Sequence, residues 1–189
     1  MNNSWGNGIE IGPNATGGCV ITSASTASDA IVINGDASAT DTTTGGLMGI
    51  LLNENNTISA TAGGGISLTG RTNAAGTTSN KYDILFGPGA AVLANSGNIS
   101  ITGSTAFGIS GAGTLSVGYK AGSAVTSSTS SITLMADKLT LAGTDRIQSS
   151  GTLTVKPYSA STAISIAGAA GVLLLPSTYF STNFKNGLS

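Results

Sequence analysis

Eight carboxylates hold most of the acid–base capacity of this sequence: Glu10, Asp29, Asp36, Asp41, Glu54, Asp83, Asp137 and Asp145. There is no histidine, which removes the commonest general base near neutral pH and the commonest zinc ligand. Without it no Ser-His-Asp arrangement can form, and neither a Ser-Lys pairing nor a Gly-x-Ser-x-Gly elbow stands in its place. Hydrolysis or lysis of a polysaccharide would need clustered carboxylates, often with a basic residue or calcium. Only Asp29, Asp36 and Asp41 fall near one another, at spacings of 7 and 5 that fit no single repeat position. The acids therefore read as solvated loop and corner residues, with weak calcium binding between Asp29 and Asp41 left open. The single cysteine, Cys19, excludes an intrachain disulfide and a thiolate cluster, and reads as a small buried hydrophobe. "FGPGAAV" (86–92) imitates part of a phosphate-binding loop but reads as a turn, because no helix follows it. No catalytic residue, resident metal or cofactor is assigned, and the chain does not read as an enzyme.

The remaining binding chemistry is thin. Lys and Arg total seven and are scattered singly, so there is no basic stripe for nucleic acid. Asp145 and Arg146 read as a surface ion pair, which contributes little. Trp5, Tyr82, Tyr119, Tyr158, Tyr179 and Phe180 could stack on sugar rings if they were exposed together, but their spacing is irregular. Threonine-rich stretches such as "TDTTTGG" (40–46) raise ice binding, yet the outward residues vary among Ser, Thr, Glu and Val rather than repeating. The longest apolar stretch, residues 163–175, falls short of the roughly 20 residues a membrane-spanning helix needs. "MNNSWGNG" lacks the basic and apolar regions of a signal peptide, so the expectation is an excerpt of a larger protein.

What, then, would position any of these groups? Ser, Thr, Asn and Gly supply 94 of the 189 residues, and only 8% are charged, against about 25% in ordinary soluble domains. Hydrophobic residues still reach 40%, too many for a polar disordered tract. They come as short alternating runs: Ile66-Ser67-Leu68, Ile99-Ser100-Ile101, Leu115-Ser116-Val117, Leu139-Thr140-Leu141, Leu153-Thr154-Val155 and Ile164-Ser165-Ile166. Alternation at period two puts the aliphatics on one face of a strand and the hydroxyls on the other. These twelve aliphatics form the expected core stack. Residues 48–72 align with 82–105, matching Ile50 to Ile84 and Ile66 to Ile99 at offsets of 34 and 33. Elsewhere the steps are shorter, from Ile9 to Ile31 and from Ile31 to Ile50, which suggests a coil of roughly 20 residues with loop insertions at 73–81 and 120–130. The expectation is one all-β solenoid over residues 1–189, with three short strands per coil. Eight or nine such coils would make a rod of roughly 40 Å. Uncharged side chains suit such a stack, where equivalent positions lie about 4.8 Å apart and like charges would repel at every step.

"SGTLTVKPYSASTAISIAGAAGVLLLPSTYFSTNF" (150–184), preceded by "ADKLTLAGTDRI", resembles a module repeated in very large bacterial surface exoproteins, the filamentous haemagglutinin-like proteins of two-partner secretion. "GNISITG" (97–103) resembles their shaft repeats. The resemblance implies a right-handed parallel β-helix, an extracellular or cell-surface location and a role as the rod of an adhesin. The family's secretion domain carries an Asn-Pro-Asn-Gly motif that is absent here, so the piece resembles shaft rather than export signal. The partners this implies are neighbouring solenoid segments or end-to-end copies, with a host or cell-surface glycan or protein as the ligand held at the tip. Trp5 and the segment 179–184 are the expected end caps. Carbohydrate binding and ice binding by the solenoid itself are the alternatives.

Overall fold

The computed structural model describes residues 5–12, 18–37, 46–72, 80–168 and 171–185. Its strands fall into coils of three. The first coil holds β1 (Trp5–Ile11), β2 (Val20–Ser23) and β3 (Ile31–Ala37), and the second β4 (Gly46–Leu52), β5 (Thr57–Ala60) and β6 (Ile66–Thr72). The third holds β7 (Lys81–Phe86), β8 (Ala91–Ala94) and β9 (Ile99–Gly103). The fourth holds β10 (Ile109–Gly111), β11 (Ser116–Gly118) and β12 (Ile132–Met135), and the fifth β13 (Leu139–Thr140), β14 (Arg146–Gln148) and β15 (Leu153–Lys156). Then come β16 (Ile164–Ile166), β17 (Leu173–Leu175) and a π-helical turn at Tyr179–Asn183. Every third strand pairs in parallel, giving three five-stranded sheets: side A (β1-β4-β7-β10-β13), side B (β2-β5-β8-β11-β14) and side C (β3-β6-β9-β12-β15). This is a parallel β-helix with three strands per coil.

The register corrects the coil length. Ile9, Ile50, Ile84, Ile109 and Leu139 are successive partners on side A, at steps of 41, 34, 25 and 30 residues. Ile31 lies on side C of the same coil as Ile9, and Ile50 on side A of the next, so each 20-residue step joined different sides of the stack instead of equivalent positions in successive coils. All three sides write the same aliphatic–hydroxyl–aliphatic triplet, and the triplet does not say which side it belongs to. The described residues therefore make five full coils, a stack of roughly 25 Å at one strand spacing per coil. Ile50 does pair with Ile84 and Ile66 with Ile99, the two matches of the sequence alignment.

The core is the sum of the inward columns. Side C contributes Ile31, Ile66, Ile99, Ile132 and Leu153, and beside them Ile33, Leu68, Ile101, Leu134 and Val155. Side B contributes Ile21, Ile58, Val92, Val117 and Ile147. Of the expected core stack, Ile66, Leu68, Ile99, Ile101, Leu115, Val117, Leu139 and Leu141 are buried, while Leu153 and Val155 are half-buried on the last coil. Ile164 and Ile166 are a correction: they are 46% and 67% exposed, because β16 pairs only with β17 and lies past the last complete coil. Cross-sections this narrow leave no room at some corners. A Cβ on Gly70 would collide with the Asp83 carbonyl, and Gly118, at φ +103, faces the Gln148 carbonyl in a conformation L side chains rarely adopt.

The C-terminal end is covered on two sides. The Tyr179 hydroxyl accepts from Leu141 N–H at 2.8 Å and donates to Leu139 C=O at 3.2 Å, satisfying the free edge of β13. Phe184 lies opposite Ile147, the Lys185 N–H donates to Ile147 C=O at 2.9 Å, and the Tyr179 and Phe184 rings meet edge to face at 5.8 Å. The expected cap over 179–184 is thus built from one tyrosine hydroxyl and one added bridge. The Trp5 side chain, expected to cap the other end, lies outside the described residues.

Candidate functional site

Three acids read as solvated are instead buried at the corners. Asp83 is fully buried in β7, where its carboxylate accepts from Thr72 N–H, Thr105 N–H and Gly108 N–H, each at 2.9 Å, and from the Thr105 hydroxyl at 2.6 Å. One side chain thereby closes the corners from side C to side A in two successive coils. Asp145, also fully buried, accepts from Leu115 N–H at 3.0 Å and Ala142 N–H at 2.7 Å, joining the fourth coil to the fifth. Asn56 does the same between the first two coils: its amide donates to Ile11 C=O at 2.7 Å and its oxygen accepts from Cys19 N–H. Asn56 and Asp145 stand at one structural position, immediately before the side-B strands β5 and β14.

Asp137 accepts from the Ser159 N–H at 2.8 Å and from the Ser159 hydroxyl. Burial works against its charged form, but the Ser159 bonds, with support from Thr162 and Tyr158, outweigh that and hold the carboxyl below the usual aspartate value. At the corner between sides B and C, hydroxyls play the part of the carboxylates: Ser130 donates to Ala94 C=O at 3.0 Å and Ser149 to Ser130 C=O at 2.6 Å. These side chains satisfy main-chain groups that a strand leaves unpaired where it turns.

Glu10 is held by amides of Asn7 at 2.9 Å and Asn53 at 2.6 Å. Asp29 and Asp36 are exposed, and Asp41, the third acid of the calcium expectation, lies outside the described residues. Among the described residues no three His, Cys, Asp or Glu side chains are grouped to hold a metal. Arg146 does not pair with the Asp145 carboxylate; its guanidinium donates to the Gly143 and Asp145 carbonyls, both at 2.8 Å. Cys19 is exposed, not buried. "FGPGAAV" is the turn between β7 and β8, with Gly89 at φ +75.

The aromatics are distributed rather than gathered. Tyr82 sits on side A in β7, Tyr119 follows β11 on side B, and Tyr158 follows β15 on side C. Tyr179 is buried in the cap, where burial, with a smaller contribution from the charge of Asp145, raises its phenol above the usual value against the Leu141 N–H bond. Phe180 is 40% exposed at the same end. The loop 120–130 folds back on the stack: Val125 is buried against the outward Ala91 and Leu93, with Tyr119 packed beside them. Loop 73–81 lies outside the described residues except for Asn80 and Lys81. A groove of about 240 Å³ on side A has an apolar floor of Leu51, Leu85 and Pro88 and is edged by Glu10 and Glu54.

Side C presents the most regular outer surface. Ser67, Ser100, Thr133 and Thr154 stand in one outward column headed by Val32, and Thr69 and the buried Thr102 stand in the next, headed by Asn34 and followed by Met135 and Lys156. The hydroxyls align over four coils, more regularly than the varied outward residues suggested from sequence. Among the described residues, no helix is long and apolar enough to cross a membrane. The chain matches no protein-family model, no curated protein and no solved structure.

Proposed function

We propose that the chain is a structural shaft segment of a secreted or cell-surface bacterial adhesin, a rigid spacer that holds a binding tip away from the cell. One observation carries the reading: the buried acids Asp83, Asp137 and Asp145 have their carboxylates committed to backbone N–H groups and hydroxyls at coil corners. Chemistry that in an enzyme would face a substrate here closes the coil. The resemblance of 136–184 and 97–103 to haemagglutinin-like shaft repeats supplies the surface location. Antibodies to the purified chain should label intact cells that make the protein. Labelling that requires permeabilised cells would overturn the surface reading.

The hydroxyl columns of side C favour a second reading, in which that face lies on ice or on an extended polysaccharide. Replacing Ser100 and Thr133 with Lys would interrupt the columns without touching the core. Loss of ice-recrystallisation inhibition or polysaccharide retention in that variant would support this reading, and wild-type protein inert in both assays would remove it.

A further inference from the structure

The C-terminal end carries an apolar surface that the five coils do not explain. In the parallel pair β16–β17, Ile164 lies opposite Leu173 and Ile166 opposite Leu175, so each couple shares a face. Leu173 and Leu175 are buried in the core and β17 packs near β13, so Ile164 and Ile166 continue the inward apolar face one strand further. They continue it into open space, 46% and 67% exposed, with Phe180 40% exposed at the same end and linked to the core through Phe184 at 5.6 Å. The opposite face of β16 is closed: Ser165 is buried, and Gly168 and Gly171 lie so near it that a Cβ on either would clash with its side chain. Among the described residues β16 pairs on one edge only, so its other edge has free N–H and C=O groups.

We infer that this end is a self-association face, on which a second copy of the chain docks about a two-fold axis with the two β16 edges antiparallel. Three features select a second copy. Ile164-Ser165-Ile166 is self-complementary when run antiparallel: Ser165 meets Ser165, and each Ile164 meets the other copy's Ile166. A two-fold contact sets each charge near the axis against its own copy, and residues 157–184 contain no Asp, Glu, Lys or Arg. The Tyr179–Phe184 cap already satisfies the edges of β13 and β14, and of the strands that keep one unpaired edge at this end, β15 and β16 among them, it is β16 that carries the exposed isoleucines. The contact is isologous and closes at two chains. It goes beyond the shaft reading and is tested in solution without any cell.

The test is sedimentation velocity of the full chain from micromolar to near-millimolar concentration, for the wild type, Ile166→Lys, Ile164→Glu and Val20→Lys. Val20 is 64% exposed in β2, at the opposite end of the stack. The expected result is a monomer–dimer equilibrium for the wild type and Val20→Lys, and monomer throughout for both isoleucine variants, with melting temperatures unchanged because both sites are exposed. A wild type that stays monomeric overturns the inference. So does association that persists in both isoleucine variants, that Val20→Lys abolishes, or that grows open-ended past the dimer. Should one isoleucine variant fail to fold, the other decides.

Discussion

β9 and β16 contain the same three residues, Ile-Ser-Ile, and bury them in opposite ways. In β9, Ile99 and Ile101 are 1% and 0% exposed and Ser100 faces outward. In β16, Ile164 and Ile166 are exposed and Ser165 is 8% exposed beneath its own turn. The difference lies in the neighbours. β9 has a parallel partner on each edge, β6 and β12, and two other sides of the coil across the core from it. β16 has one partner. An alternating triplet encodes a strand and its two faces, but the coils above, below and opposite decide which face counts as inside.

The sharpest way to break the comparison is to put the same charge into both triplets. Ile101→Asp buries an unpaired carboxylate in the core and should cost more than about 4 kcal/mol, enough to unfold the chain. Ile166→Asp should stay within about 0.5 kcal/mol. Denaturant titration of the two variants checks this, and equal losses would mean the register of the stack is wrong.

The next largest effect concerns the corners. Asp83→Ala strips the acceptor from three backbone N–H groups and a hydroxyl and should cost about 3 kcal/mol, whereas exposed Asp36→Ala should be nearly neutral. Much of this architecture was legible beforehand: the alternation at 66–68 and 99–101 and the alignment of Ile50 with Ile84 depend only on local pattern and near-identical copies. The corner acids were not, because a carboxylate that closes a turn and one that faces water have the same sequence neighbourhood. A usable signal did exist. Asn56 and Asp145 each stand immediately before a strand, and Asp83 stands near the start of β7, positions where an acid or amide has main-chain donors within reach. Coil length was not legible either, since connections of different length between strands, 73–81 and 120–130 among them, leave equivalent side-A residues 25 to 41 apart.

A smaller contrast tests Asp137 through pH. Its carboxyl is held below the usual aspartate value, so its contribution is fully present above the unfolded carboxyl's range and is lost as pH falls through the folded value. Thermal melts should therefore show the wild type losing its advantage over Asp137→Asn below about pH 4. An advantage constant through that range would show that the Ser159 bonds do not favour the charged form. Smallest of all, Tyr179→Phe removes the hydroxyl that satisfies β13 and should cost about 1 kcal/mol, with the ring contact to Phe184 retained.

Successive coils are longer than the 20-residue spacing of similar triplets, and a crosslink between strands reads the register. In a Cys19→Ser background, Val32→Cys with Ser67→Cys places two thiols on directly opposed residues of β3 and β6, one strand spacing apart at about 4.8 Å, within disulfide reach. Val32→Cys with Leu51→Cys places them where a 20-residue coil would oppose them, but here they lie on sides C and A. Under mild oxidation the first pair should close into an intramolecular disulfide, seen by mass and gel mobility, while the second stays reduced. Closure of the second pair without the first would contradict the three-sided, five-coil stack.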